Sequence, residues 1–194
     1  FEALISPAAI EFIELMAQKS RHLTLKRFGR TMQLFAPIYL SNKCYNTCTY
    51  CGFSIHHNYN RITLTEEEII KEGRILKEKG FQHVLLLTGE APDTVGPEYI
   101  QNAVRLLKPQ FASIGIEVQP LKTDEYKALI QSGADSLTLY QETYHPESYA
   151  KHHLAGKKKN YKKRLDAADE GGKAEFFKIN LGALFGLHTW EFEA

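Results

Sequence analysis

What this chain lacks narrows it first. In 194 residues, no apolar run approaches the ~18–20 residues that a membrane-crossing helix needs, and no basic-then-apolar leader opens the sequence. Neither sign of charge dominates. The 24 Lys plus Arg stand against 23 Asp plus Glu, a formal net charge of +1, which gives no global electrostatic footprint for nucleic acid or an anionic membrane. Low-complexity linkers and sequence repeats are missing too. The expectation is a cytoplasmic protein without a nucleic-acid or membrane partner. Cysteine is scarce, with three in all, at positions 44, 48 and 51. A secreted disulfide scaffold would spread an even set along the chain, so three close neighbours point instead to metal or cluster ligation in a reducing compartment.

What is present suits a single globular domain: 43% hydrophobic and 24% charged residues, enough apolar material for a core. Residues 1–34 read as a helical extension. Ser6-Pro7 offers a helix start, and Ala9, Phe12, Ile13 and Met16 follow at helical spacing. The apolar stretch Leu34–Leu40 suits a buried strand, and a polar loop follows from Ser41 to about Arg61. Thr65 and Glu68 form a capping box for a helix that Gly80 stops. Strands are then expected at His83–Leu87, Ser113–Val118, Ser136–Tyr140 and Phe177–Leu181, with helices near Pro97–Leu107 and Thr123–Gln131. This alternation predicts an α/β fold with a parallel sheet. Five units fit, whereas an eight-unit barrel takes ~250 residues. Residues 35–194 therefore read as the N-terminal part of a truncated, TIM-like (β/α) barrel.

The segment Cys44-Tyr45-Asn46-Thr47-Cys48-Thr49-Tyr50-Cys51 has the spacing C-x3-C-x2-C in the loop after the first strand. Thiolates suit iron–sulfur clusters and zinc. A four-iron cluster usually takes four cysteines, so three leave one iron with an open position, as substrate activation requires. Zinc would have to borrow a fourth ligand, His56 or His57. A non-enzymatic zinc module on Cys44, Cys48, Cys51 and His56 is the alternative of another class.

With Tyr50 before the last cysteine and Gly52-Phe53 after it, this spacing resembles the radical S-adenosylmethionine (radical SAM) superfamily. Several further stretches resemble the tyrosine lyases of thiamine thiazole biosynthesis, the 2-iminoacetate synthases. They are Pro37–Asn42, Leu87-Thr88-Gly89-Glu90, Glu117–Leu121, Tyr140–His145, His153–Lys157 and Gly182–Leu187. The tyrosine lyase of iron–iron hydrogenase maturation shares Tyr140–His145 and is the alternative within the superfamily. Val118–Leu121 and Thr88-Gly89-Glu90 lean toward the thiamine enzyme.

The resemblance implies a [4Fe-4S] cluster on Cys44, Cys48 and Cys51, with S-adenosylmethionine on the open iron. It implies a deoxyadenosyl radical that acts on L-tyrosine, whose Cα–Cβ bond breaks to give dehydroglycine and 4-cresol. Thr88, Gly89 and Glu90 would hold the cofactor's amino group, Glu142 its ribose and Arg164 its carboxylate. Tyr50 would lie against the adenine, and Gly182, Leu184 and Gly186 would form the platform beneath it, although Thr189 stands where the family usually has an acidic residue. Partners implied are reduced flavodoxin or ferredoxin as electron donor and a thiazole synthase. On this reading the 194 residues alone load the cluster without lysing tyrosine at a useful rate.

Glu117 and Gln119 point the same way on one strand and are expected to line the substrate cavity. The basic run Lys157–Arg164 reads as a solvated loop, with docking of an acidic electron donor as the alternative. His145, His152 and His153 read as loop or surface residues.

Overall fold

A parallel strand needs a crossover back to its starting edge, and a helix packed on one sheet face supplies it. The computed structural model describes all residues, Phe1–Ala194, in two compact units, Phe1–Gln33 and Leu34–Ala194. The first unit holds α1 (Glu2–Ile5), a 3-10 turn (Pro7–Phe12) and α2 (Ile13–Phe28).

The second unit runs β1 (Phe35–Ser41), β2 (Thr47–Cys48), α3 (Glu66–Glu78), β3 (His83–Thr88), α4 (Pro97–Leu107), β4 (Ser113–Glu117) and α5 (Thr123–Ser132). It continues with β5 (Ser136–Glu142), α6 (Pro146–His152), β6 (His153–Ala155), a 3-10 turn (Lys157–Lys159), α7 (Tyr161–Lys173), β7 (Lys178–Ala183) and α8 (Trp190–Glu193). Five strands form one sheet in the order β1-β3-β4-β5-β7. Every neighbouring pair is parallel, with Phe35 opposite His83, Leu85 opposite Gly115 and Ser136 opposite Lys178. The expected strands are all present, within a residue or two of their expected ends.

Alternation along each strand sorts the two sheet faces. Ile38, Leu40, Val84, Leu86, Ile114, Ile116, Leu137 and Leu139 are buried in one core with Ile69 of α3, Ile100, Val104 and Leu107 of α4, and Tyr126 and Leu129 of α5. Tyr39, Leu85, Leu87, Glu117 and Tyr140 occupy the opposite alternation and are half-buried or exposed. The capping box of α3 forms as expected: Glu68 N–H donates to Thr65 Oγ1 at 3.3 Å, and Thr65 N–H to Glu68 Oε2 at 2.8 Å.

Two features were not legible in the sequence. β2 and β6 pair antiparallel in a separate ribbon, with Thr47 opposite Ala155 and Cys48 opposite His153. β5 runs past Tyr140 into an irregularity against β7 that leaves Glu142 at φ 74°, a left-handed conformation.

Parallel strands leave all their carboxyl ends, and the loops that follow, at one end of the sheet. The cysteine loop, Thr88–Glu90, Glu117–Gln119, Glu142 and Gly182–Gly186 all lie there. Leu86, fully buried on interior strand β3, tests how far the core holds that arrangement. Leu86→Ala should cost ~2–5 kcal/mol of unfolding free energy, read as a lower urea midpoint with an unchanged slope.

Candidate cluster and cofactor site

Between β1 and α3 the chain has almost no regular structure, so its backbone carbonyls need other donors. Arg61 supplies them. Its Nη1 donates to Asn42 O at 2.8 Å and Phe53 O at 2.9 Å, and its Nη2 to Ser54 O at 2.8 Å and His57 O at 3.2 Å. The guanidinium also lies 4.2 Å from the centroid of the Tyr59 ring. Only a planar fork of five donors can gather four carbonyls in this way.

The front of the loop is laid on the end of β3. Gly89 N–H donates to Ser41 O at 3.0 Å and Tyr45 N–H to Glu90 O at 3.0 Å. A Cβ on Gly89 would fall 2.3 Å from Lys43 O and 2.9 Å from Cys44 Cβ, so no larger residue allows this approach. Asn46, buried between the first two cysteines, donates from Nδ2 to the Glu90 carboxylate and, at 3.6 Å, to Cys44 Sγ.

The back of the loop is held by the segment after β5. Thr49 N–H donates to His152 O at 3.0 Å, beside the β2–β6 ribbon. His153 is a correction to the sequence reading, because it is wholly buried rather than on the surface. Its Nδ1 lies 2.8 Å from Tyr149 O, which can only accept, so Nδ1 carries the proton and Nε2 accepts from the Tyr50 hydroxyl at 2.7 Å. The imidazole also stacks on the Tyr149 ring at 3.8 Å. Burial pulls the His153 pKa down to about 4 and pushes the Cys48 thiol up to about 11, with the Lys158 charge opposing the rise at Cys48. His145 caps α6 through Ser148 N–H and stacks on His188, and His152 Nδ1 meets Thr49 Oγ1 at 2.7 Å.

Lys158 is the second correction. Inside the supposedly solvated basic run, its side chain is only 14% exposed and its Nζ reaches Glu142 Oε1 at 2.8 Å. Nζ also stands 5.6 Å from the Tyr50 ring centroid. The Lys158 N–H donates to Asn46 Oδ1 at 2.9 Å, and its carbonyl accepts from the Tyr149 hydroxyl. Gly156 permits this crossing. Its φ is 87°, and a Cβ there would lie 2.2 Å from Asn46 Oδ1.

The remaining predicted residues fall into place around this knot to different degrees. Arg164 Nε donates to Tyr140 O at 2.8 Å. Glu117 is half-buried, and burial together with the Glu142 charge holds its carboxyl above the usual range, opposed by Arg164 and Lys158. Thus Glu117, Glu142, Arg164, Lys158, Tyr50 and Cys48 share one electrostatic neighbourhood. Thr88 Oγ1 and Gln119 Oε1 are buried without a partner, while Gln119 Nε2 donates to Val95 O at 3.2 Å. Gly182 lies against Tyr140, where a Cβ would approach the ring to 2.8 Å, and Leu184 N–H donates to Glu142 O at 2.7 Å. Gly186, at φ 106°, has nothing near its Cβ position.

Sequence reasoning missed Asn46, Arg61, Lys158 and the burial of His153. The local signal was weak, because Asn46 shares the gap between the first two thiols with Thr47, and the contact that joins it to Lys158 is a long-range one.

The fold and site define a class: a parallel β/α sheet whose strand ends carry a three-thiol loop amid carboxylates and an arginine. The chain belongs to the radical SAM superfamily, whose model matches residues 38–194. It is 48% identical over 185 residues to 2-iminoacetate synthase of Escherichia coli (strain K12), covering 95% of this chain and 49% of that protein. The chain thus spans about half the length of the curated relatives it matches. Among solved structures, HydG, a maturase of the [FeFe]-hydrogenase, superposes with a TM-score of 0.91 at 29% identity, covering 95% of this chain and 42% of that one. Methylornithine synthase (PylB) superposes at 0.79 and 27% identity, covering 95% and 54%. The five-stranded sheet is accordingly a partial radical SAM barrel.

The superfamily uses a [4Fe-4S] cluster and S-adenosylmethionine, and the residues fit both. Three thiols gathered in one loop suit the thiolate ligation of such a cluster, and the orphaned Thr88 hydroxyl lies beside Gly89 and Glu90. His56, the candidate fourth ligand of the zinc alternative, is engaged with Thr47 Oγ1 at 3.2 Å.

The buried imidazole has a pH signature. Its pKa is about 6.5 in the unfolded chain and about 4 in the fold, so between those values only the unfolded state takes the proton. Stability contributed by neutral His153 is present above pH ~6.5 and lost as pH falls toward 4. Glu117, held high, acts in the opposite sense. The difference between urea-unfolding profiles of wild type and His153→Gln should therefore shrink on acidification through that window.

Proposed function

We propose that this chain carries the cluster and cofactor machinery of a tyrosine lyase of the 2-iminoacetate synthase type, cleaving the Cα–Cβ bond of L-tyrosine to dehydroglycine and 4-cresol. The observation that supports it most is the 48% identity to 2-iminoacetate synthase over 185 residues, 95% of this chain. Cys44, Cys48 and Cys51 hold the cluster. With S-adenosylmethionine bound, that group supplies a 5′-deoxyadenosyl radical, while the protein supplies position and exclusion of water.

Glu90, fixed by Asn46, accepts from the cofactor's ammonium, joined by the free Thr88 hydroxyl beside Gly89. Arg164, anchored through Nε, offers its terminal nitrogens to the cofactor carboxylate. Glu142 keeps Oε2 free of protein donors for the ribose hydroxyls. Tyr50, fixed by His153, presents its ring to the adenine, and Gly182, Leu184 and Gly186 form the platform. Glu117 and Gln119 are the candidates on this chain for contact with substrate, Gln119 through a buried Oε1 that no protein donor satisfies. A reduced flavodoxin or ferredoxin supplies the electron, and a thiazole synthase takes the dehydroglycine.

The likeness to HydG favours a second reading, the tyrosine lyase of hydrogenase maturation, but at 29% identity it ranks behind the first.

Both roles at the cofactor are measurable. A lost charge-assisted hydrogen bond costs ~1.5–3 kcal/mol, so Glu90→Ala and Arg164→Ala should each bind S-adenosylmethionine roughly ten- to hundred-fold more weakly in anaerobic calorimetry. Unchanged affinity in both would displace the site. The reaction itself is tested in a polypeptide carrying these residues within the full length of its relatives, reconstituted and supplied with dithionite, S-adenosylmethionine and tyrosine. Deoxyadenosine and 4-cresol are expected together, and Cys48→Ala should abolish both along with the cluster absorbance. Deoxyadenosine without 4-cresol would refute tyrosine as substrate.

A further inference from the structure

The basic run contains one lysine that behaves unlike the rest. Lys157, Lys159, Lys162 and Lys163 are exposed, whereas Lys158 is turned inward and largely buried. Its four contacts reach three different parts of the site: Glu142 through Nζ, the Tyr50 ring by proximity of that cation, Asn46 through its N–H, and Tyr149 through its carbonyl. Asn46 in turn holds Glu90 and touches Cys44. A buried ammonium is expensive unless paired, and a solvated loop gives no reason to bury one.

Its partner is unusual too. Glu142 sits at φ 74° at the irregular end of β5, a conformation that a non-glycine residue holds only when its surroundings enforce it. Lys158 occupies Oε1 and leaves Oε2 without a protein donor. The bond therefore holds one oxygen of the carboxylate and leaves the other available to a ligand. Asn46 and Gly156 fix where Lys158 can stand, which ties that bond to the cysteine loop.

Building on the tyrosine-lyase reading above, we propose that Lys158 is a positioning residue that holds Glu142 for the cofactor ribose and couples that carboxylate to the cysteine loop through Asn46. It acts through Glu142 and need not touch the cofactor itself.

The test is a double-mutant cycle on S-adenosylmethionine binding, by anaerobic calorimetry on reconstituted protein of matched iron and sulfide content. The variants are Lys158→Gln, Lys158→Arg, Glu142→Gln and the Lys158→Gln/Glu142→Gln pair. Lys158→Gln should weaken binding roughly ten-fold, and Lys158→Arg should recover most of it. On the Glu142→Gln background the effect of Lys158→Gln should largely vanish, because the group it positions is already altered. A merely structural role for Lys158 would leave the two losses additive, and that result would overturn the proposal, as would wild-type affinity in Lys158→Gln. Wild-type protein that carried the cluster yet bound no S-adenosylmethionine would instead overturn the functional reading, and this proposal with it.

Discussion

Between β1 and α3 only Thr47 and Cys48 lie in a strand, and every carbonyl that the rest of the cysteine loop withdraws from regular structure still needs a donor. The Arg61 guanidinium meets that need. Four carbonyls from Asn42, Phe53, Ser54 and His57 close on one side chain, so the whole turn is folded around a charge contributed by its own far end. The cation is delocalised and weakly hydrated, which lowers the cost of using it in this way. Everything else in the site is referred to the shape this knot imposes.

On that frame, two close approaches decide where the thiols stand. At Gly89 the loop rests on the end of β3, and at Gly156 the returning chain crosses Asn46. Either position would clash with any Cβ, so the backbone itself sets the spacing between the loop and its neighbours. The polar groups gathered there are mutually dependent. Glu90 is steadied by Asn46, Glu142 by Lys158, and Tyr50 by His153. In a half-buried setting, such pairs gain from the reduced screening and lose heavily if one member is missing.

The sheet was legible because its strands are short apolar runs broken by capping boxes and glycines, and those signals are local. The C-x3-C-x2-C spacing was legible for the same reason. Arg61 looked like the end of a loop, since nothing in a sequence shows four carbonyls converging. Lys158 was hidden by its neighbours: a run of lysines has the composition of a solvated face, and only the β2–β6 ribbon singles out the one that turns inward. His153 was misjudged by the same route, because its burial depends on Tyr50 and Tyr149 arriving from two different elements.

That ribbon also imposes an order of events on biogenesis. Cys48 pairs with the strand of His153, and Asn46 is completed by Lys158, 112 residues further along the chain. Synthesis proceeds from the N-terminus at ~5–20 residues per second, so the three cysteines are made several seconds before the segment that seats them. Only once β6 has docked does Cys48 gain its strand partner and Asn46 the Lys158 N–H, so the final seat of the cysteine loop is a late product of the chain.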